Sequence, residues 1–288
     1  MRLDKLLSNL GFSSRSQCRD MIKKGRVQVN GNVCRDMAMH VPDGARVTLD
    51  GKEIDTRTER CLMLYKPSGV LTAAEDKNQK TVMDILPQQY RSLGCMPVGR
   101  LDKDTTGLLL LTTDGDLAHR LISPKYHVDK VYLATLDGDM TEEDERAFAE
   151  GIELKDFTAL PARLEKAGER LYRVTVQEGK YHQVKRMFGA RGRKVLALHR
   201  CSFGSLILDE QMQPGDYREL TPEEYSRIRD AWLPENAVQQ GSPFPELLGG
   251  RFFLGEDFLM ACREYGGNFF GLEVLGPGTG VPGLLSRL

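Results

Sequence analysis

Apolar positions along this chain recur with two periods, one suited to helices and one to strands. Leu3, Leu6, Leu7 and Leu10 fall three and four residues apart, which predicts an amphipathic helix stopped by Gly11. Ser13 or Ser14 caps a second helix, "RSQCRDMIKKG", in which Cys18, Met21 and Ile22 form the apolar stripe. "RVQVNGNV" then alternates as a strand into an Asn-Gly turn, and "ARVTLD" offers another short strand. Residues 1–50 thus predict a helical pair backed by a small sheet.

The next ten residues, "GKEIDTRTER" at 51–60, carry a single aliphatic side chain and suit a polar linker. Beyond them the period changes. "CLMLYKPSGVLTA", "GLLLLTT", "KVYLATL", "LYRVTVQE" and "GSLILD" read as strands, while "GDLAHRLI", "EEDERAFAEGI" and "YHQVKRMFGARG" read as helices. Many strands with scattered helices exclude a repeated parallel β/α architecture, so residues 61–232 predict an α+β body on a mixed, largely antiparallel sheet. Residues 233–288 form a glycine-rich extension. Its role is not read from the sequence: Phe252, Phe253, Phe258, Phe269 and Phe270 suit an added packing layer or an interaction surface, packing being favoured, and "GPGTGVPG" reads as a flexible tail because no strand-to-helix transition precedes it.

Composition changes this picture little; charge distribution changes it more. Lys plus Arg number 40 against 41 Asp plus Glu, a net charge of -1 that does not by itself indicate a polyanionic partner. Residues 1–35 nevertheless hold eight basic and two acidic side chains, and residues 180–200 hold seven basic and none acidic. Two local basic fields suit a polyanionic partner, and on residues alone the amino-terminal one equally suits an exposed charged helix with no partner. The acidic stretch "DGDMTEEDERAFAE" reads as a solvated helix face.

The six cysteines, at 18, 34, 61, 95, 201 and 262, form no CxxC pair and are expected to be reduced structural thiols. No stretch has the apolar length of a signal peptide or a bilayer span, so a cytoplasmic protein is expected. The five histidines fall in no metal-ligand spacing and no GxxxxGK[ST] loop occurs, so neither metal nor organic cofactor is expected.

One stretch asks for a chemical explanation. "GRLDKDTTGLLLLTTDGD", Gly99 to Asp116, places Arg100, Asp102, Lys103 and Asp104 at the mouth of a strand apolar enough to be buried. On residues alone Asp102 is either a turn residue capping that strand or a reactive carboxylate, with Asp104 as a loop-orienting neighbour. Thr105 and Thr106 read as satisfying backbone groups. Tyr132 reads as strand core, and Val184, Met187 and Phe188 share the inward side of a helix. Leu196 and Leu198 are strand core or the wall of a pocket.

Residues 1 to about 50 resemble the S4 RNA-binding domain, carried by "MRLDKLLSNLGFSSRSQCRDMIKKGRVQVNG". The resemblance implies an RNA-facing surface formed by Arg15, Lys23, Lys24 and Arg26. "MPVGRLDKDTTGLLLLTTDGDLAHRLISPKYHVDKVYLATL" is similar to the signature region of RNA pseudouridine synthases, in the branch where an S4 domain comes first. "LYKPSGV" at 64–70 and "EGKYHQVKRMFGARGRKVLALHRCSFG" at 178–204 follow the same family order. That resemblance implies Asp102 as the catalytic carboxylate, Tyr132 as the active-site tyrosine and Lys185 as the basic partner of Asp102, with Arg186 as the alternative. It implies Arg100 as the residue that helps a flipped nucleotide leave its stack, against a salt bridge to Asp102 or Asp104 that shapes the loop. Lys180, Arg186 and Arg191 are then expected on the RNA side. The implied reaction is cofactor-free isomerisation of a uridine in small-subunit rRNA, taken from a partly assembled subunit. A large-subunit rRNA substrate, or an inactive RNA-binding assembly factor, are the alternatives.

Overall fold

Ser14 starts the second helix: its hydroxyl accepts from the Gln17 N–H while Gln17 Oε1 accepts from the Ser14 N–H, a reciprocal cap. The resulting helix, α2 (Arg15–Lys23), follows α1 (Leu3–Asn9). The strands β1 (Val27–Val29), β2 (Asn32–Val33), β3 (Val47–Leu49) and β4 (Lys52–Ile54) form an antiparallel sheet in the order β2-β1-β3-β4. Leu3, Leu6, Leu7, Cys18 and Ile22 close over Val27, Val29 and Val47, so the helical stripe read from the sequence is the core of this module. The computed structural model describes residues 1–230, 259–265 and 268–275.

The strand β4 lies inside the segment expected to be linker. Asp50 and Gly51 both have positive φ, 51° and 78°, which turns β3 back on itself as a tight hairpin. The strand was illegible because it is short and its side chains are exposed or half-buried. The remaining linker residues are fastened rather than loose: Arg60, buried, donates to Asp55 (2.8 Å) and Glu219 (2.9 Å), and Arg57 bridges the same two carboxylates.

The body continues with β5 (Cys61–Lys66), α3 (Gln88–Ser92), β6 (Met96–Pro97), β7 (Thr106–Thr112), α4 (Gly115–Ile122), β8 (Lys130–Leu136), α5 (Glu142–Glu150), β9 (Arg163–Gly168) and β10 (Leu171–Val176). It ends with α6 (Gln183–Ala190), β11 (Val195–Phe203), β12 (Leu206–Ile207), β13 (Tyr217–Glu219) and α7 (Pro222–Asp230). Seven strands run in the order β13-β5-β7-β11-β8-β10-β9, with β12 paired to β11 and β6 to β7. Only β7 and β11 pair in parallel, so the body is α+β on a mixed, largely antiparallel sheet.

Both faces of this sheet are covered. Leu109 and Leu111 join one core cluster with Leu62, Leu64, Tyr132 and Phe188, while Leu108 and Leu110 join another with Met63, Val98 and Phe203. That is why the run Leu108–Leu111 is unbroken rather than alternating. Gly107 makes the parallel crossing possible. A Cβ there would lie 2.3 Å from the Arg200 carbonyl oxygen, so only glycine lets β7 and β11 approach this closely.

A second unit comprises 209–211 with 233–288; its described strands are β14 (Leu259–Tyr265) and β15 (Asn268–Leu275), an antiparallel pair. The packing role expected of Phe252, Phe253 and Phe258, and the tail at 276–283, lie outside the described residues. Among the described residues no helix is long and apolar enough to cross a membrane.

Candidate active site

The loop that leads into β7 is held from below by one buried lysine. Lys66, the last residue of β5, is fully buried, and its ammonium donates to the carbonyl oxygens of Pro67 (3.0 Å), Lys103 (3.1 Å) and Thr105 (2.9 Å). Three donors meet three acceptors, which is the condition for burying an ammonium group. Burial still pulls its pKa down to about 8, against the attraction of Asp104 and Asp102. Neighbouring bonds finish the clamp: the Gly69 N–H donates to the Lys103 carbonyl (2.8 Å), and the Thr72 hydroxyl donates to the Leu101 carbonyl (2.8 Å). The Thr105 N–H donates to the Asp102 carbonyl (3.1 Å), closing the turn that carries Asp102.

The Asp102 side chain is 24% exposed. Lys185 of α6 places Nζ 3.0 Å from Oδ2, and His182 places Nε2 3.5 Å from Oδ1. Lys185 also reaches Asp104 Oδ1 at 2.5 Å. Burial works against charge on Lys185, but hydrogen bonds to Asp104 and Asp102 override it and hold the ammonium above its usual range. The Lys185 hydrogen bond holds Asp104 below the usual carboxylate range. Arg186, one residue on, turns to Asp156 instead. The basic partner of Asp102 is thus Lys185, and Asp104 shares it.

Tyr132 lies on β8, buried in the same cluster as Leu101, Val184, Met187 and Leu198. Its hydroxyl accepts from Arg200 Nη1 at 3.4 Å. Arg200 is itself buried, donates through Nε to the Leu108 carbonyl (2.7 Å), and leaves Nη2 without a partner among the described residues. The two threonines differ from expectation. Thr106 bonds the His199 ring (2.9 Å) rather than backbone, and Thr105 Oγ1 is buried with no partner among the described residues. The cause is tertiary: β11 brings a ring to a hydroxyl that local sequence shows only as a turn. His199 is pushed down to about 4 by burial. Of the two leucines beyond α6, Leu198 is core and Leu196 is exposed.

The expected RNA-side cations divide by whether a carboxylate already holds them. Arg15, with Arg2 and Arg19, surrounds Asp4, a fully buried carboxylate. Burial raises the Asp4 pKa, but hydrogen bonds from Arg15, Arg19 and Arg2 override this and keep it far below the usual range. Arg26 grips Asp50 with two bonds, of 2.8 and 2.5 Å. Lys180 faces Glu178 at 3.5 Å and lies over the Phe157 ring, and Arg191 pairs with Asp144 (2.6 Å) and Glu143 (3.2 Å). The last pairing corrects the reading of the acidic stretch as merely solvated. Asp144 is a buried helix cap on α5 that also receives Arg191. Lys23, Lys24 and Arg100 are exposed and form no ion pair or hydrogen bond with another described side chain. The salt bridge from Arg100 to Asp102 or Asp104 does not occur.

Beside Lys185 opens a cleft of about 470 Å³ lined by Asp137, Gly189, Gly192, Arg193, Lys194 and Val195. Neither Asp102 nor Tyr132 lines it. Sequence reading missed the Lys66 clamp, the His182 contact and the Arg200 support of Tyr132. The sole available signal was the position of Lys66, a charged residue ending an apolar strand.

Comparison with known proteins follows the same division of the chain. Residues 1–47 match the S4 domain model and residues 60–190 match the model described as RNA pseudouridylate synthase. A Bacillus subtilis protein named as an uncharacterized RNA pseudouridine synthase is 45% identical over 236 residues, covering 80% of this chain and 99% of its own length. The ribosomal small subunit pseudouridine synthase A of Vibrio parahaemolyticus is 42% identical, covering 79% of this chain and 99% of its own. A crystal structure of a pseudouridylate synthase superposes with a TM-score of 0.56 at 36% identity, covering 79% of this chain and 99% of that one.

Proposed function

The chain belongs to the RNA pseudouridine synthase family, and from that premise we propose that it converts one uridine of small-subunit rRNA to pseudouridine, with Asp102 as the catalytic residue. The observation that carries the assignment is the pairing of Asp102 with Lys185 at 3.0 Å on a loop pinned by Lys66. The reaction breaks the bond from C1′ to N1 of uracil, forms one from C1′ to C5, removes a proton from C5 and adds one to N1. Composition and oxidation state do not change. A carboxylate can act at C1′, as nucleophile or as a charge that supports separation of base and sugar, and can then help remove the C5 proton.

Each neighbour has a positioning task in this reading. Lys185 gives Asp102 an opposite charge, and Asp104 keeps that ammonium in place. Tyr132 offers its ring to the target uracil, with its hydroxyl oriented by Arg200. Stacking covers both faces of the uracil ring and keeps C1′ and C5 from meeting one side chain together, so the nucleotide must flip. Arg100, exposed and unpaired at the loop entrance, takes the space it leaves. Residues 1–50 act as the RNA-capturing module and 61–232 as the catalytic body, with Lys23 and Lys24 contacting phosphates. The substrate in this reading is a partly assembled small subunit in the cytoplasm; the names of the Vibrio parahaemolyticus and Pseudomonas aeruginosa relatives support the small-subunit part of it.

Incubating the protein with matched small- and large-subunit rRNA substrates and mapping pseudouridine by mass tests the proposal. New pseudouridine in the small-subunit RNA is the expected result. Modification confined to large-subunit RNA overturns the substrate and keeps the chemistry; modification of neither overturns both.

A further inference from the structure

Tyr181 is the most exposed large apolar side chain among the described residues, at 67%. Its ring lies flat on that of His182, with centroids 3.9 Å apart and planes inclined by 17°. His182 in turn reaches Asp102 at 3.5 Å. A chain of contacts therefore runs from the Asp102 carboxylate through one ring to the inner face of a second, whose outer face is open to solvent.

The backbone beneath this pair is held with unusual care for a surface turn. His182 adopts a left-handed φ of 50°, a conformation that costs a residue with a Cβ and persists only when its surroundings enforce it. The enforcement is visible. Gln183, buried, accepts from the Lys180 N–H (3.0 Å) and donates to Glu178 (2.8 Å), and Glu178, also buried, accepts from the Leu160 N–H (2.8 Å). Two buried polar side chains thus fix a turn whose product is an aromatic ring pointing at water. The Tyr181 hydroxyl makes no hydrogen bond among the described residues, so the ring face is what the turn presents. Lys180, Lys185 and Arg186 lie within five residues, but each already faces a carboxylate, so the ring and not net charge is what this turn offers a ligand.

We propose that Tyr181, backed by His182, is a stacking platform for the nucleobase adjacent to the target uridine on the substrate RNA. The proposal rests on the pseudouridine synthase reading and adds the place where the flanking nucleotide is held. The His182 ring stands between Tyr181 and Asp102, so a base on the outer face of Tyr181 cannot bring its own C1′ to that carboxylate; its neighbour can. Stacking on an aromatic face tolerates any base and sets spacing along the strand. Tyr181 is a positioning residue in this scheme, and it determines which uridine arrives at Asp102.

The test combines kinetics with binding on the rRNA substrate that the wild type modifies. Tyr181→Ala should raise the half-saturating RNA concentration by about 10-fold or more, the loss expected for one base–aromatic stack. The rate at saturation should fall much less, and Tyr181→Phe should restore the wild-type value because it keeps the ring. In Tyr181→Trp the added indole emission, read as the difference from wild type, should be quenched by that RNA and not by the same RNA with an abasic site beside the target. Wild-type half-saturation in Tyr181→Ala, a Tyr181→Phe variant as defective as alanine, or equal quenching by the abasic RNA overturns the platform. Absence of pseudouridine with the wild type instead overturns the functional reading. In that case direct titration of rRNA against wild type and Tyr181→Ala still decides the platform, equal affinities sinking it and a 10-fold loss sustaining it.

Discussion

Asp4 and Asp102 are both carboxylates met by basic side chains, and they are built in opposite ways. Asp4 is fully buried and accepts from Arg2, Arg15 and Arg19, with bonds on both oxygens. Asp102 is partly exposed, with Lys185 on one oxygen and His182 at the edge of hydrogen-bond reach on the other. A carboxylate with its acceptor capacity filled by guanidinium groups organises those groups and has no opening for a reactant. One with an open side and an anchored backbone can meet a substrate. Burial and saturation thus separate a carboxylate that holds cations in place from one with an oxygen still open to a reactant, although both sit in the tripeptide Arg-Leu-Asp.

The strongest way to break this contrast is to neutralise each carboxylate in turn. Asp102→Asn should reduce single-turnover pseudouridine formation by at least about 1,000-fold while leaving the urea unfolding midpoint near wild type. Substantial turnover in the folded variant would remove Asp102 from the chemistry. Asp4→Asn should do the reverse. It should lower unfolding stability by about 2–3 kcal/mol through loss of charge-assisted bonds, with turnover per folded molecule retained. Equal stability to wild type would mean that the three arginines are held by something else.

Acid sharpens the contrast next. His199 has a folded pKa of about 4, below its unfolded value near 6.5, so the unfolded chain binds more protons between these limits. Its contribution to stability is complete above about 6.5 and is lost as pH falls toward 4. Between pH 7 and pH 5 the wild type should lose about 2 kcal/mol in urea titrations, and His199→Asn should lose correspondingly less. Asp4, held low, should contribute to acid unfolding only below about pH 4. The smallest expected effect is on the module's unpaired cations. Lys23→Ala combined with Lys24→Ala should weaken rRNA binding a few-fold and make the log–log salt dependence shallower by roughly 1.5 in filter-binding titrations. A steeper or unchanged slope would place the phosphates elsewhere.

What sequence conveyed, and what it did not, follows the range of each interaction. The module's helices were legible because Leu3, Leu6 and Leu7 repeat within two turns, and the buried run at Leu108 because four leucines in succession suit a doubly covered strand. Asp102 and Lys185 were legible through the family blocks that carry them. Lys66, 37 and 39 residues from the carbonyls of Lys103 and Thr105, could be placed only by the fold. The same holds for Arg200 beneath Tyr132, 68 residues away, and for the carboxylates that occupy Lys180, Arg186 and Arg191. A basic field read from composition counts charges and does not reveal which are already neutralised.

The close passage at Gly107 also sets an order of events in time. Arg200 reaches the Leu108 carbonyl across 92 residues, so β7 can gain its parallel neighbour only after β8, β9, β10 and α6 have been made. Closing a loop of that length carries an entropic cost that local hairpins avoid, which makes such pairings late steps in folding. During synthesis the amino-terminal module emerges whole, with its three arginines already gathered on Asp4, while the loop bearing Asp102 still lacks Lys185. The growing chain therefore completes its S4 module well before it can pair Asp102 with Lys185.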